Sequence, residues 1–77
     1  MVFEKIREHL KDILLCNDED ITMDTQFGTD RVIDSVDLVD LMVRLEEDFG
    51  ITIAEDDAYN VKSVGDVVRL VEEKMKK

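Results

Sequence analysis

Between residues 33 and 50, apolar side chains recur at a spacing that suits an α-helix and not a strand. At roughly 100° per residue, Leu38, Leu41, Met42, Leu45 and Phe49 fall on one face and make an ordinary core-facing stripe. Val36, Val39 and Val43 fall on the opposite side, flanked by Asp37, Asp40, Glu46 and Glu47. A helix needs only one buried face, so the second stripe is offered as a small acidic and apolar surface. Ser35 stands at its entrance. The rest of the chain must supply other apolar faces to cover the first stripe.

Two further segments do so. Over residues 2–15, Phe3, Ile6, Leu10, Ile13 and Leu14 repeat at helical spacing, with Lys5, Glu8 and Lys11 on the solvated side. Near the end, Ser63-Val64-Gly65-Asp66 has the S-x-x-D form in which the serine caps a helix and the acid reaches back. Val64, Val67, Val68, Leu70, Val71 and Met75 then form that helix's buried stripe, and Lys74, Lys76 and Lys77 complement its dipole. The central helix is expected over residues 35–48, stopped by Gly50 in the left-handed position that ends many helices. Ile51-Thr52-Ile53-Ala54 reads as an extended link with its isoleucines inward, followed by one or two helical turns over Glu55–Asn60. Residues 17–34 lose all periodicity and form a long loop, with Ile21, Phe27, Val32 and Ile33 spaced as anchors. No proline and only three glycines leave too little turn punctuation for a strand-rich fold. The expectation is an all-α protein: a small four-helix bundle of three main helices and one short one, with a long loop between the first and second, forming a single domain over residues 1–77.

The net charge of −10 is concentrated in the middle of the chain, where residues 17–57 hold fourteen acids against Arg31 and Arg44, a balance of −12. Such a surface repels nucleic acid and anionic membranes and attracts basic protein surfaces. No run of about 18 apolar residues offers a membrane span, and charges interrupt the first fifteen residues where a signal core would lie. A cytoplasmic monomer is expected. The single Cys16 cannot form an intrachain disulfide, and with no helix N-terminus or basic cluster beside it, it reads as a packing residue. His9 lies at the edge of an apolar stripe with no second His or Cys at ligand spacing and no evident partner for a nucleophilic triad. Asn17-Asp18-Glu19-Asp20 invites a calcium reading. A twelve-residue count from Asp18, however, puts Met23 where the sharp turn needs glycine and Thr29 where a bidentate glutamate belongs. Neither a catalytic set nor a metal site is expected.

Asp34-Ser35 alone reads as a generic helix cap. Here the serine follows a long loop, opens the most acidic helix and borders the spare apolar stripe. Its hydroxyl lies at the positive end of a helix dipole, where an attached phosphate finds favourable electrostatics. No G-x-S-x-G elbow activates it, so Ser35 reads as an acceptor of modification and not as a nucleophile.

At these residues the chain resembles the acyl carrier protein family. Asp34-Ser35-Val36-Asp37 is similar to the family's Asp-Ser-Leu, often followed by Asp; Leu45-Glu46-Glu47-Asp48-Phe49 and Ile53 match its next signature, and Phe27 matches a loop anchor. The resemblance implies that Ser35, with Asp34 as its motif neighbour, carries 4′-phosphopantetheine delivered from coenzyme A by a phosphopantetheinyl transferase. It further implies a non-catalytic carrier that holds acyl or aminoacyl groups as thioesters and shuttles them between enzymes of fatty acid, lipid or specialised acyl metabolism. Acyl-transferring and acyl-modifying enzymes with basic docking patches would then read Val36, Asp37, Val39, Asp40, Val43, Glu46 and Glu47. Asp30-Arg31-Val32-Ile33 before the serine, Val36 in place of leucine, Arg44 on the central helix and Ala54 where proline is frequent depart from the fatty-acid-synthesis pattern, and the loop looks closer to specialised carriers, D-alanyl and peptidyl ones included. The alternative is a small acidic protein-interaction module without a prosthetic group.

Overall fold

The first helix ends where its backbone is forced out of helical geometry. In the computed structural model, which describes residues 2–28 and 33–76, α1 (Val2–Leu14) stops one residue short of the expected boundary. Leu15 takes φ 55°, a left-handed conformation that costs a leucine energy, and turns its own side chain into solvent. Cys16 packs back against the core. Ile6 and Leu10 are buried, while Phe3, Ile13 and Leu14 are half-buried around them.

The segment after α1 has more structure than its lost periodicity suggests. Asp18–Asp20 makes one 3-10 turn, tied by the Asp20 carboxylate accepting from the Asn17 N–H at 3.1 Å. Asp18 is drawn to the basic side of α1, 2.6 Å from Lys11 Nζ, and this contact first of all lowers its carboxyl below the ordinary range. Ile21 is buried as an anchor, and Phe27 and Ile33 are half-buried against the core. Val32, with Asp30 and Arg31, lies outside the described residues. Thr25 buries its hydroxyl, which accepts from the Thr22 N–H at 2.8 Å. The loop then staples the entry of the last helix: Phe27 N–H donates to the Lys62 carbonyl, Val64 N–H to that of Thr25 and Gly65 N–H to that of Met23, each at 2.9 Å. Gln26 and Ser63 form one isolated antiparallel bridge, and the described residues contain no strand.

The central helix, α2 (Ser35–Phe49), buries Leu38, Leu41, Met42 and Leu45, with Phe49 only half-buried at its end. Gly50 closes it at φ 64°, donating its N–H to the Glu46 carbonyl at 2.9 Å. Residues 51–54 run extended, with Ile51 and Ile53 turned toward the core and Thr52 and Ala54 exposed. The short α3 (Glu55–Asn60) has no side-chain cap. It is held by the buried Ala58 and by Asp57, 3.0 Å from Lys74 Nζ.

In α4 (Val64–Met75), Ser63 caps as expected, its hydroxyl oxygen accepting from the Asp66 N–H at 3.2 Å. Asp66 reaches one residue further back than the motif implies, to the Lys62 N–H at 3.0 Å, because the chain enters the helix extended. Val64, Val67, Val68 and Val71 are buried. Leu70 is half-buried and Met75 is 48% exposed, a correction to the expected stripe: the last turn lies at an open rim beside Val2 and Phe49, where α1 begins and α2 ends.

α1 is the common neighbour of α2 and α4, and α3 leans on α2. Cross-ties fix α1 and α2 antiparallel: His9 Nε2 lies 2.5 Å from Asp48 Oδ2, and Asp12 Oδ2 accepts from Arg44 Nη1 at 2.9 Å. His9 is thus the boundary residue expected, but it has a partner that its sequence neighbours do not reveal. No described helix is long and apolar enough to cross a membrane.

Candidate functional site

Ser35 is the first residue of α2 and is exposed, and its hydroxyl has no hydrogen-bond partner among the described residues. Asp34 does the capping. Its Oδ1 accepts from the Asp37 N–H at 3.2 Å and its carbonyl from the Leu38 N–H at 3.0 Å. The first-turn amides of Ser35 and Val36 are left without an acceptor among the described residues. This is the arrangement in which a helix start attracts a phosphate oxygen. An opposing field comes from the acids around it: partial burial first, then the charges of Asp34 and Asp40, raise the Asp37 carboxyl above its ordinary range.

Among the described residues nothing beside Ser35 is placed to take its proton. His9 is bonded to Asp48 near the far end of α2, about 20 Å along the axis at 1.5 Å per residue. Among the described residues no group of three or more His, Cys, Asp or Glu is placed to hold a metal ion. An exposed hydroxyl with two open amides beside it fits a covalently attached phosphate ester and leaves the rest of such a group free to extend into solvent.

The outward face of α2 carries the expected valines, with Val36 75%, Val39 39% and Val43 45% exposed. Its acids are not equivalent. Glu47 is exposed and makes no ion pair among the described residues. Asp40 is gripped through both oxygens by Arg44, from Nε at 3.2 Å and Nη2 at 3.3 Å. Glu46 is half-buried, and its Oε2 accepts from the Ile53 N–H at 2.6 Å, so it braces the link between α2 and α3. The i,i+4 spacing of Asp40 and Arg44 was a readable signal for the first of these ties. The reach of Arg44 to Asp12 and of Glu46 to Ile53 left no signal in the local pattern. Between α2 and α3 lies a cleft of about 140 Å³ lined by Val39, Met42, Val43, Ile53, Ala58 and neighbouring residues, with Glu46 and Glu55 at its edge.

Known proteins resemble this chain over nearly its whole length. A family model described as "Phosphopantetheine attachment site" matches residues 4–71. The acyl carrier protein of Clostridium perfringens is 40% identical over 76 residues, covering 99% of this chain and 100% of that protein. The acyl carrier protein of Petrotoga mobilis is 36% identical over 74 residues, 96% of this chain and 87% of that protein. With its four helices in place and near-full-length relatives at this identity, the chain belongs to the acyl carrier protein family, whose members carry covalently attached 4′-phosphopantetheine.

Proposed function

We propose that this chain, as one domain over residues 1–77, carries acyl or aminoacyl groups on a 4′-phosphopantetheine arm attached to Ser35. The observation that carries the reading is the exposed hydroxyl at the first position of α2, without a partner among the described residues and inside the segment matched to the family. When bound, the arm supplies a thiol that holds its cargo as a thioester. The protein's own residues position it. Asp34 fixes the first turn of α2, the open amides of Ser35 and Val36 would hold the ester phosphate, and among the described residues no side chain competes for the hydroxyl.

The valines and acids of α2 form the surface read by the phosphopantetheinyl transferase and by acyl-handling enzymes with basic patches. Exposed charge pairs are individually weak and salt-screened, so docking is transient and fast to form. The cleft between α2 and α3 is smaller than pockets that enclose drug-sized ligands, and it gives a short acyl chain an apolar place to rest.

Incubation with coenzyme A and a broad-specificity transferase, followed by intact-mass measurement, tests the reading. One phosphopantetheine is expected on the wild type and none on Ser35→Ala. Absence of any gain under conditions that load a control carrier sinks the proposal. A partner that still bound the Ser35→Ala variant of an unloadable chain would favour the acidic interaction module instead.

A further inference from the structure

We propose that Arg44 tunes which partners this chain accepts, by withdrawing Asp40 from the docking surface and leaving a partner's basic patch to be met by Asp37, Glu47, Glu55 and Asp56. The inference rests on α2 being the docking helix. Arg44 holds Asp40 in a fork, Nε to Oδ1 at 3.2 Å and Nη2 to Oδ2 at 3.3 Å, so one guanidinium sets its positive charge against both carboxylate oxygens of a side chain that stays 48% exposed. Its Nη1 donates to Asp12 Oδ2 on α1 at 2.9 Å, and these two carboxylates raise the Arg44 guanidinium above its ordinary range. The anchor on α1 keeps the cation from swinging clear when something approaches α2.

A lysine or arginine arriving at Asp40 therefore meets a carboxylate whose oxygens are both engaged, beside a guanidinium that is itself 31% exposed. The other acids differ. Glu47, Glu55 and Asp56 are exposed and make no ion pair among the described residues, and Asp37 has no basic partner there either. Attractive charge is thus moved away from the middle of α2, toward its first turn, its last turns and the start of α3. The partner that fits is a protein whose cations are spaced around the apolar contact with Val39 and Val43, not one that places a cation directly over Asp40. A lysine at position 44 would present a point charge without the fork. Since exposed pairs are worth little, the masking is graded, about two- to five-fold in association.

The test is a double-mutant cycle on loading. The kcat/KM with which a broad-specificity phosphopantetheinyl transferase modifies wild type, Arg44→Met, Asp40→Asn and the double variant is measured with saturating coenzyme A at low and high salt. Arg44→Met is expected to raise kcat/KM about two- to five-fold at low salt, mainly through KM, with the gain vanishing at high salt. Asp40→Asn should lower kcat/KM at least twofold more in the Arg44→Met background than in wild type. That coupling separates masking of Asp40 from a simple change in net charge, under which the two substitutions add. Thermal melts check folding, and Arg44→Gln repeats the cycle if the methionine variant is unstable. Additive effects on a wild type that loads normally overturn the Arg44 proposal and leave the carrier reading intact. A wild type that does not load while a control carrier does overturns both.

Discussion

Asp66 and Asp37 sit three residues into α4 and α2 respectively, yet their surroundings push their carboxyls in opposite directions. Asp66 accepts from the Lys62 N–H and pairs with Arg69, and the backbone hydrogen bond in particular lowers its carboxyl below the usual range. A carboxyl lowered by folding stabilises the native state above its unfolded pKa, and that contribution is lost as pH falls through the lower folded value. Asp66→Asn should therefore reduce stability at neutral pH, with wild type and variant converging below about pH 4. Asp37 is raised, chiefly by partial burial, so its ionised form is a cost above the folded pKa that disappears below the ordinary value. Asp37→Asn should be at least as stable as wild type at neutral pH, and this difference too should close in acid. Urea titrations across that range check both signs; a stability loss for Asp37→Asn at neutral pH would contradict the second. The Ser63-x-x-Asp66 motif made the cap legible, but which N–H the acid takes depended on how the chain enters α4.

Within α2 the two stripes follow from periodicity because a helix converts sequence spacing directly into angle. Leu45 is fully buried and Val43 is 45% exposed, two residues apart on the same helix. Leu45→Ala should cost roughly 2 to 5 kcal/mol through lost burial and the cavity it leaves. Val43→Ala should stay within about 0.5 kcal/mol, as surface substitutions usually do, and should weaken partner docking. Denaturant melts of the pair check the assignment of faces, and a large loss at Val43 would contradict it. Periodicity was a poorer guide at helix ends, as Phe49 and Met75 show, since a residue on the core-facing side is buried only if a neighbouring helix extends far enough to cover it. The six residues of α3 are too few for a stable helix on their own and depend on Ala58, on Lys74 and on the brace from Glu46 to Ile53.

For the molecule as a whole, the decisive quantity is the distribution of the −10 charge. The acids of residues 17–57 are gathered on α2, α3 and the preceding loop, where Arg44 is the one described cation opposing them within that stretch. Mutual repulsion there opposes compaction, so added salt or divalent ions should raise the melting temperature by screening it. Melts insensitive to both would show that the ion pairs already balance the field. The family comparison and the four helices agree with the resemblance carried by Asp34-Ser35-Val36-Asp37 and Leu45-Glu46-Glu47-Asp48-Phe49. Sequence by itself determined the helices, the core stripe of α2, its spare valine face, the acidic character and the placing of Ser35 at a helix start. All of these depend on spacings of a few residues, which local backbone geometry turns into position. Only the tertiary structure decided that Asp40 is held by an arginine anchored 32 residues away at Asp12, that His9 meets Asp48 across 39 residues, and that Glu46 braces the start of α3. Those contacts depend on how α1 lies against α2 and how the chain returns after Gly50, and no periodicity along one helix encodes the packing of another against it.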